Sequence, residues 1–360
     1  MKLRPTRPGK IVFLSRQSDE ISEDFRMVQK ELLEKEEWLQ IVTVSSRLEG
    51  ENSGGLLKFG KATLKSMFEI ANAGVVVLDS YWPAVSILKH KPQMKVIQMW
   101  HAMGKIKQSG YQTLGKASGR SREIAELMKM HRGYDYIIAG GSAWNPYYAA
   151  SFDTTYDKLK NYGLPRIDKL LSERDSSKQA VLEAYPEIQG KRVILYAPTF
   201  RRNIEGSWTG LYNALKGGIL VVKAHPNQKL EITEEMRQNG VMTMDEFKSG
   251  DILSTADYLI TDYSAIAVEG AVLGIKTLYY VYDYDEYREK NGMNIDLFNE
   301  MPHSTFRSAD ELCNVIKSDA YDMDELKAYQ VKFLPEELGT STEKIANLIL
   351  SQVYEIENSN

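Results

Sequence analysis

The sequence predicts an α/β protein with two parallel sheets in two domains, and three observations carry that expectation. Short β-branched runs alternate with helical stretches along the chain, as parallel sheets require. Most of these runs are apolar throughout, which suits strands covered on both faces. At 360 residues the chain is also longer than one hydrophobic core ordinarily serves.

In the first half the strands are expected at "KIVFLS" (10–15), "LQIVTVS" (39–45), "GVVVLDS" (74–80), "KVIQMW" (95–100) and "YDYIIAG" (134–140). Helical patterns such as "FRMVQKELLEK" and "LLKFGKATLKSMFEIA" separate them. The second half repeats the theme with "RVILYAP" (192–198), "GILVVKAHP" (218–226), "YLITDYS" (258–264) and "KTLYYVYD" (276–283). Helices fit "ITEEMRQN", "SAIAVEGAVLG" and "ADELCNVIKS". Between the two series, residues 160–190 mix Gly, Pro and charge without a strand, so the domains are set at 1–170 and 190–335. A final amphipathic helix, about 341–357, repeats Ile345, Leu348, Ile349 and Val353 at helical spacing.

The composition, 43% hydrophobic and 26% charged, excludes a disordered or fibrous chain. No apolar run approaches the roughly 18 residues that span a bilayer, and "MKLRPTRPGK" lacks the apolar block of a signal peptide. The lone Cys313 permits neither an internal disulfide nor a thiolate metal cluster, which points to a cytoplasmic setting. Charge is unevenly placed: residues 1–140 hold 22 Lys+Arg against 15 Asp+Glu, the remainder 23 against 34. A basic first half on an acidic protein suits an anionic partner, either a phosphorylated substrate or an anionic membrane surface. Nucleic acid fits poorly, because the basic stretches lack interleaved aromatics.

In parallel α/β sheets, ligands bind beyond the carboxyl ends of the strands, so the residues after each strand are the candidates. Four such exits stand out and are expected to face a common cleft. In "WHAMGK", His101 begins a turn after a strand, where a near-neutral imidazole can take a proton from a hydroxyl. Alone, such a histidine is as well a packing residue. In "VVKAHPN", Lys223 and His225 leave a strand together and can donate to phosphate oxygens. In "ITDYSAIAVEG", Thr261, Asp262, Tyr263 and Ser264 pass directly into a helix. Ser264 or Asp262 can cap it, leaving its first N–H groups as an anion site, and Glu269 lies within reach of a sugar hydroxyl. In "YAPTFRRN", Arg201 and Arg202 offer planar forks that match phosphate. Around the first exit, Lys105 and Lys107 belong to a basic stretch able to meet an anionic acceptor. The amphipathic basic stretch 56–68 suits either a membrane surface or packing on its own sheet. A Walker loop, a G-x-G-x-x-G turn, a nucleophile elbow and a close metal-ligand cluster are all absent from the sequence, so no metal site is assigned.

Taken in order, "WHAMGKIKQSGY", "YGLPRID", "YAPTFR", "VVKAHPN", "ADYLITDYSAIAVE" and "YYVYDYDEYREKNG" resemble the CDP-glycerol glycerophosphotransferase family of teichoic acid synthesis. Six ordered blocks over more than half the chain are far more specific than any one of them. The resemblance implies a GT-B-like fold, two Rossmann-like domains about a cleft with the terminal helix crossing back to the first. It matches the family's histidines to His101 and His225, its Thr-Asp-Tyr-Ser turn to Thr261–Ser264, and its following carboxylate to Glu269. Three departures stand out: Ala102 for the usual glycine, as in the primase branch; Ala265 for a second serine; and "MPHS", with His303, for the usual Pro-Gly-Pro.

What the resemblance implies is transfer of a polyol phosphate, foremost glycerol phosphate from CDP-glycerol, to a hydroxyl of a lipid-linked saccharide, with release of CMP. His101 would serve as base. His225, Arg201 and Lys223 would stabilise the diphosphate, and the Thr261–Ser264 turn and Glu269 would hold the nucleotide. The first domain would take the acceptor and the second the donor, with no protein-bound cofactor. Attachment to the inner face of the cell membrane would be peripheral. The alternatives are a GT-B glycosyltransferase using a nucleotide sugar and a non-catalytic member that binds polyanions or membrane.

Overall fold

The computed structural model describes residues 4–47, 53–117, 119–200, 205–215, 218–224 and 230–359. The chain divides into two compact units, Met1–Asp168 with Pro335–Asn360, and Lys169–Leu334.

In the first unit, six parallel strands form one sheet: β1 (Arg7–Ser15), β2 (Gln40–Ser45), β3 (Ala73–Leu78), β4 (Lys95–Gln98), β5 (Tyr136–Ile138) and β6 (Leu159–Lys160). Their order is β2-β1-β3-β4-β5-β6. β1 and β3 are apolar on both faces and are buried along their centres, at Ile11–Leu14 and Val75–Leu78. The helix Glu23–Lys35 starts where Ser22 Oγ accepts from the Phe25 amide, with acids in its first turn and Lys35 in its last. Its Phe25, Val28 and Leu32 pack with Ile345, Ile349 and Val353 of the C-terminal helix Ser341–Asn358 against Ile11, Phe13 and Val77. Each such fully buried side chain contributes about 1.5–3 kcal/mol. Leu348, expected on the same helix face, is only partly buried.

The "YGLPRID" block explains how that terminal helix is held. Asp168 accepts from the Ser341 and Thr342 amides (3.1 and 2.7 Å) and from Thr342 Oγ1 (2.6 Å), satisfying the helix's first donors. Arg166 binds Asp24 through its backbone amide (2.8 Å), Nε (2.9 Å) and Nη2. Gly163 has φ +76°, and a Cβ there would lie 3.0 Å from Ser341 Oγ, so the turn requires glycine.

The second unit carries β7 (Val193–Tyr196), β8 (Ile219–Val222), β9 (Val241–Met242), β10 (Tyr258–Thr261), β11 (Lys276–Tyr280) and β12 (Thr305–Phe306). These are parallel in the order β12-β11-β10-β7-β8-β9, so the direction of sheet growth reverses between β7 and β10. Val193, Leu195, Val221 and Leu259 meet Val181, Ile252, Leu253 and Ile266 in its core.

The α/β class with two parallel sheets is therefore the observed one. The expected strands end earlier than their apolar runs. β4 stops at Gln98 because Trp100 takes a left-handed φ of 60°, and β8 stops at Val222. The two-residue strands β6, β9 and β12 had no counterpart in the sequence pattern.

Candidate active site

In the first unit, β1, β3 and β4 lie side by side, and their carboxyl ends carry the histidine. Left-handed backbone is costly for a bulky residue, so the Trp100 kink must be held in place. The Trp100 amide donates to Gln98 Oε1 (2.9 Å), and its ring packs edge-on to Phe152 (5.1 Å). The turn sets the half-buried His101 ring beneath Trp100, with centroids 4.1 Å apart.

His101 Nδ1 lies 3.0 Å from the Asp79 carbonyl at the end of β3. A carbonyl only accepts, so Nδ1 carries the proton and Nε2 keeps its lone pair. The Gln17 amide lies 3.1 Å from the same Nδ1, which suits its oxygen facing that proton. Burial, followed by Lys105 and Arg166, pushes His101 down to about 4, while the Asp79 bond acts upward. At neutral pH the ring is therefore an uncharged proton acceptor in a fixed tautomer. Added negative charge alongside would raise its basicity.

Lys105 departs from its expected place. It is 3% exposed, with Nζ 4.5, 4.9 and 4.6 Å from the ring centroids of Trp100, Tyr148 and Phe152. It donates to Ser109 Oγ (2.9 Å), and burial pushes its ammonium down to about 7. Enclosed by aromatic faces, it supports the floor beneath Trp100. Lys107 is half-buried in the same segment. His131 sits beside this floor, 7% exposed with its ring 4.8 Å from Phe152. Burial, then the nearby cations, push it down to about 3.

Both rings are neutral when folded and ordinary histidines, near 6.5, when unfolded. Between those values the unfolded chain binds protons that the folded chain does not. The stability they confer is thus complete above 6.5 and lost as pH falls towards 4. The melting temperature is expected to drop between about pH 7 and about pH 4.5, less steeply in His131→Gln. Equal melting temperatures across that range would contradict the burial of both imidazoles.

In the second unit, the exits of β7 and β10 are tied together by Asp262. Its carboxylate accepts from the Thr199 amide (2.9 and 3.0 Å), Thr199 Oγ1 (2.6 Å) and the Tyr263 amide (2.6 Å), and it is 3% exposed. Thr261 is fully buried, donating to the Ala197 carbonyl (2.7 Å). The buried Tyr263 ring stacks on Tyr287 at 4.1 Å, and its hydroxyl bonds Asp283 (3.1 Å).

In the expected donor turn, Thr261, Asp262 and Tyr263 are buried and shape the turn from within. Only Ser264, half-buried, and the exposed Ala265 lie outward, with Glu269 half-buried further along. The cap also differs from expectation. Ala265 is the N-cap of the helix Ile266–Leu273, without a side-chain cap bond, because Asp262 is committed to Thr199. Lys223 Nζ donates to the Met244 and Phe247 carbonyls (3.1 and 2.7 Å), so it fastens a neighbouring loop. Arg201, Arg202 and His225 lie outside the described residues. The tether of His303, its amide donating to Glu325 (2.8 Å), places it in a turn of the same unit.

Sequence reasoning missed Gln17, Asp79 and the aromatic floor, because strand order alone brings them to His101. Among the described residues no cluster of three His, Cys, Asp or Glu side chains could hold a metal ion. No helix there is long and apolar enough to cross a membrane.

Comparison with known proteins adds four findings. The family model described as CDP-Glycerol:Poly(glycerophosphate) glycerophosphotransferase matches residues 1–351. The teichoic acid poly(ribitol-phosphate) polymerase of Bacillus spizizenii is 27% identical over 365 residues, 97% of this chain but 57% of that protein's length. The teichoic acid glycerol-phosphate primase of Bacillus subtilis is 28% identical over 293 residues, 79% of this chain and 76% of the other. In fold, the wall teichoic acid polymerase TagF superposes with a TM-score of 0.74 at 16% identity, covering 97% of this chain and 90% of that one.

Proposed function

This chain belongs to the CDP-glycerol:poly(glycerophosphate) glycerophosphotransferase family, and from that premise we propose that it moves a polyol phosphate, foremost glycerol phosphate from CDP-glycerol, onto a hydroxyl of a lipid-linked saccharide. The observation that carries this is the His101 imidazole, whose Nδ1–H is committed to the Asp79 carbonyl. Its Nε2 takes the acceptor's proton as the acceptor oxygen attacks the β-phosphorus of the donor. The bond from that phosphorus to the bridging oxygen breaks, and CMP leaves with the electron pair. His225 and Arg201, from the other half of the sequence, stabilise the charge that develops on the diphosphate. Ser264 and the backbone around Ala265 hold the donor phosphates, and Glu269 the ribose. Asp262, Thr261 and Tyr263 fix the turn that leads into Ser264 and Ala265.

The test is a donor panel. CDP-glycerol, CDP-ribitol and UDP-sugars are each supplied with a short-chain lipid-linked disaccharide, and the nucleotide released is measured. Acceptor-dependent CMP from a CDP-alcohol is expected. UDP release would favour a glycosyltransferase, and no release from any donor would favour a binding protein.

A membrane-surface role draws support from the helix Ser53–Ile70, which exposes Leu57 (64%), Leu64 (58%) and Phe68 (64%) along one face beside exposed Lys61 and Lys65. An apolar stripe flanked by lysines suits an anionic lipid surface, each cation adding about 1 kcal/mol. Sedimentation with phosphatidylglycerol vesicles is expected to fall about tenfold or more in a Leu64→Glu, Phe68→Glu variant. Equal sedimentation of variant and parent would exclude this face as the attachment point.

A further inference from the structure

The first unit's sheet changes its direction of growth between β1 and β3, with β2 on one side and β4 to β6 on the other. Such a switch point opens a crevice at the carboxyl edge, where α/β sheets take ligands. Two arginines meet there that have no part in holding His101. Arg16 directly follows Ser15, the last residue of β1, and Arg120 precedes the short helix Arg122–Leu127. Both guanidiniums lie over one ring: Arg16 is 5.7 Å and Arg120 5.8 Å from the centroid of Tyr81, which follows β3. Tyr81 is a fixed platform, 4% exposed, with its hydroxyl donating to the Met128 carbonyl (2.6 Å).

Two like charges on one platform repel. After burial, Arg120 is the largest influence lowering Arg16. Among the described residues neither guanidinium pairs with a carboxylate. The acid facing Arg16 is Asp79, 3% exposed, which accepts from Ser80 Oγ (2.9 Å) and is pushed upward by burial. Tyr134 and the neutral His131 complete the surroundings and bring no negative charge at neutral pH. The site is also coupled to the imidazole. Gln17, next in the chain, touches His101, and the Arg16 amide donates to Ser80 Oγ (3.2 Å), adjacent to Asp79.

We propose that Arg16 and Arg120, stacked on Tyr81 at the β1/β3 switch point, form an oxyanion site for a phosphate group of the acceptor. Planar guanidiniums sharing one aromatic platform match a phosphate's oxygens, and a doubly charged ligand removes their mutual repulsion. The assignment to the acceptor rests on the transfer chemistry above, which gives the donor's diphosphate to the second unit. A phosphate bound here lies on the His101 side of the sheet edge and would orient the acceptor hydroxyl towards Nε2.

Equilibrium binding tests this without turnover. The probes are a short-chain prenyl diphosphate disaccharide, the same glycolipid lacking the diphosphate, and CDP-glycerol. Arg16→Gln, Arg120→Gln is expected to bind the diphosphate probe about tenfold to a hundredfold more weakly than the parent. Its affinity for CDP-glycerol and for the phosphate-free probe should stay the same, and Arg16→Lys should recover only part of the loss. The exposed Arg120→Gln alone serves if the double variant melts early. Unchanged affinity for the diphosphate probe would overturn the proposal, as would an equal loss for CDP-glycerol. A chain that binds the probe through these arginines yet transfers nothing would refute the transfer reaction and leave the site standing.

Discussion

Acceptor-dependent CMP release by His101→Ala is expected to fall by about 10²–10⁴-fold, the range for losing a positioned general base. Donor affinity should stay close to that of the parent, because the donor is assigned to the second unit. The size of the loss follows from the geometry of the ring. Its Nδ1 is 3.0 Å from a carbonyl, so rotation and tautomer are both fixed before substrate arrives. Alanine removes the proton acceptor and leaves Asp79 and Gln17 in place. His101→Gln is the informative partner, since it restores bulk and hydrogen bonding without basicity and should be equally inactive. Wild-type rates in both variants would remove His101 from the chemistry.

The second large effect is on stability. Asp262→Ala is expected to cost about 3 kcal/mol, because a buried carboxylate that takes two amides and a hydroxyl disappears and leaves those donors unsatisfied. For a unit of this size the melting temperature should fall on the order of 10 °C. The loss should begin at the β7 and β10 exits, and hydrogen exchange at Thr199 and Tyr263 would report it. Asp262→Asn should recover part of the loss, because one carbonyl oxygen still accepts. A different outcome, parental stability with weakened donor binding, would mean that Asp262 contacts the nucleotide and does not tie the exits.

Much of the fold was legible because its longest strands are apolar on both faces. Runs such as Ile11–Leu14 and Val75–Leu78 have no other stable home. The edge strands β6, β9 and β12 were not legible, since two residues carry no period. His101 was visible as a histidine at a strand exit, but its environment was not. Gln17 and Asp79 are 84 and 22 positions away and reach it only through the order of β1, β3 and β4. Charge patterning also says nothing about depth. Lys105 and Lys107 read alike in sequence, yet Lys105 is sealed among three rings. Asp262 shows the converse, a polar residue in a promising turn whose oxygens are already taken by Thr199 and Tyr263.

Product mass is the most direct measurement of what this chain transfers. A short-chain lipid-linked disaccharide incubated with CDP-glycerol and the purified protein should gain one or more glycerol phosphate units, with one CMP released for each. His101→Ala should leave the acceptor's mass unaltered. An acceptor that gains a sugar from a nucleotide sugar, or gains nothing from any CDP-alcohol while still binding the donor, would contradict a polyol phosphate transferase.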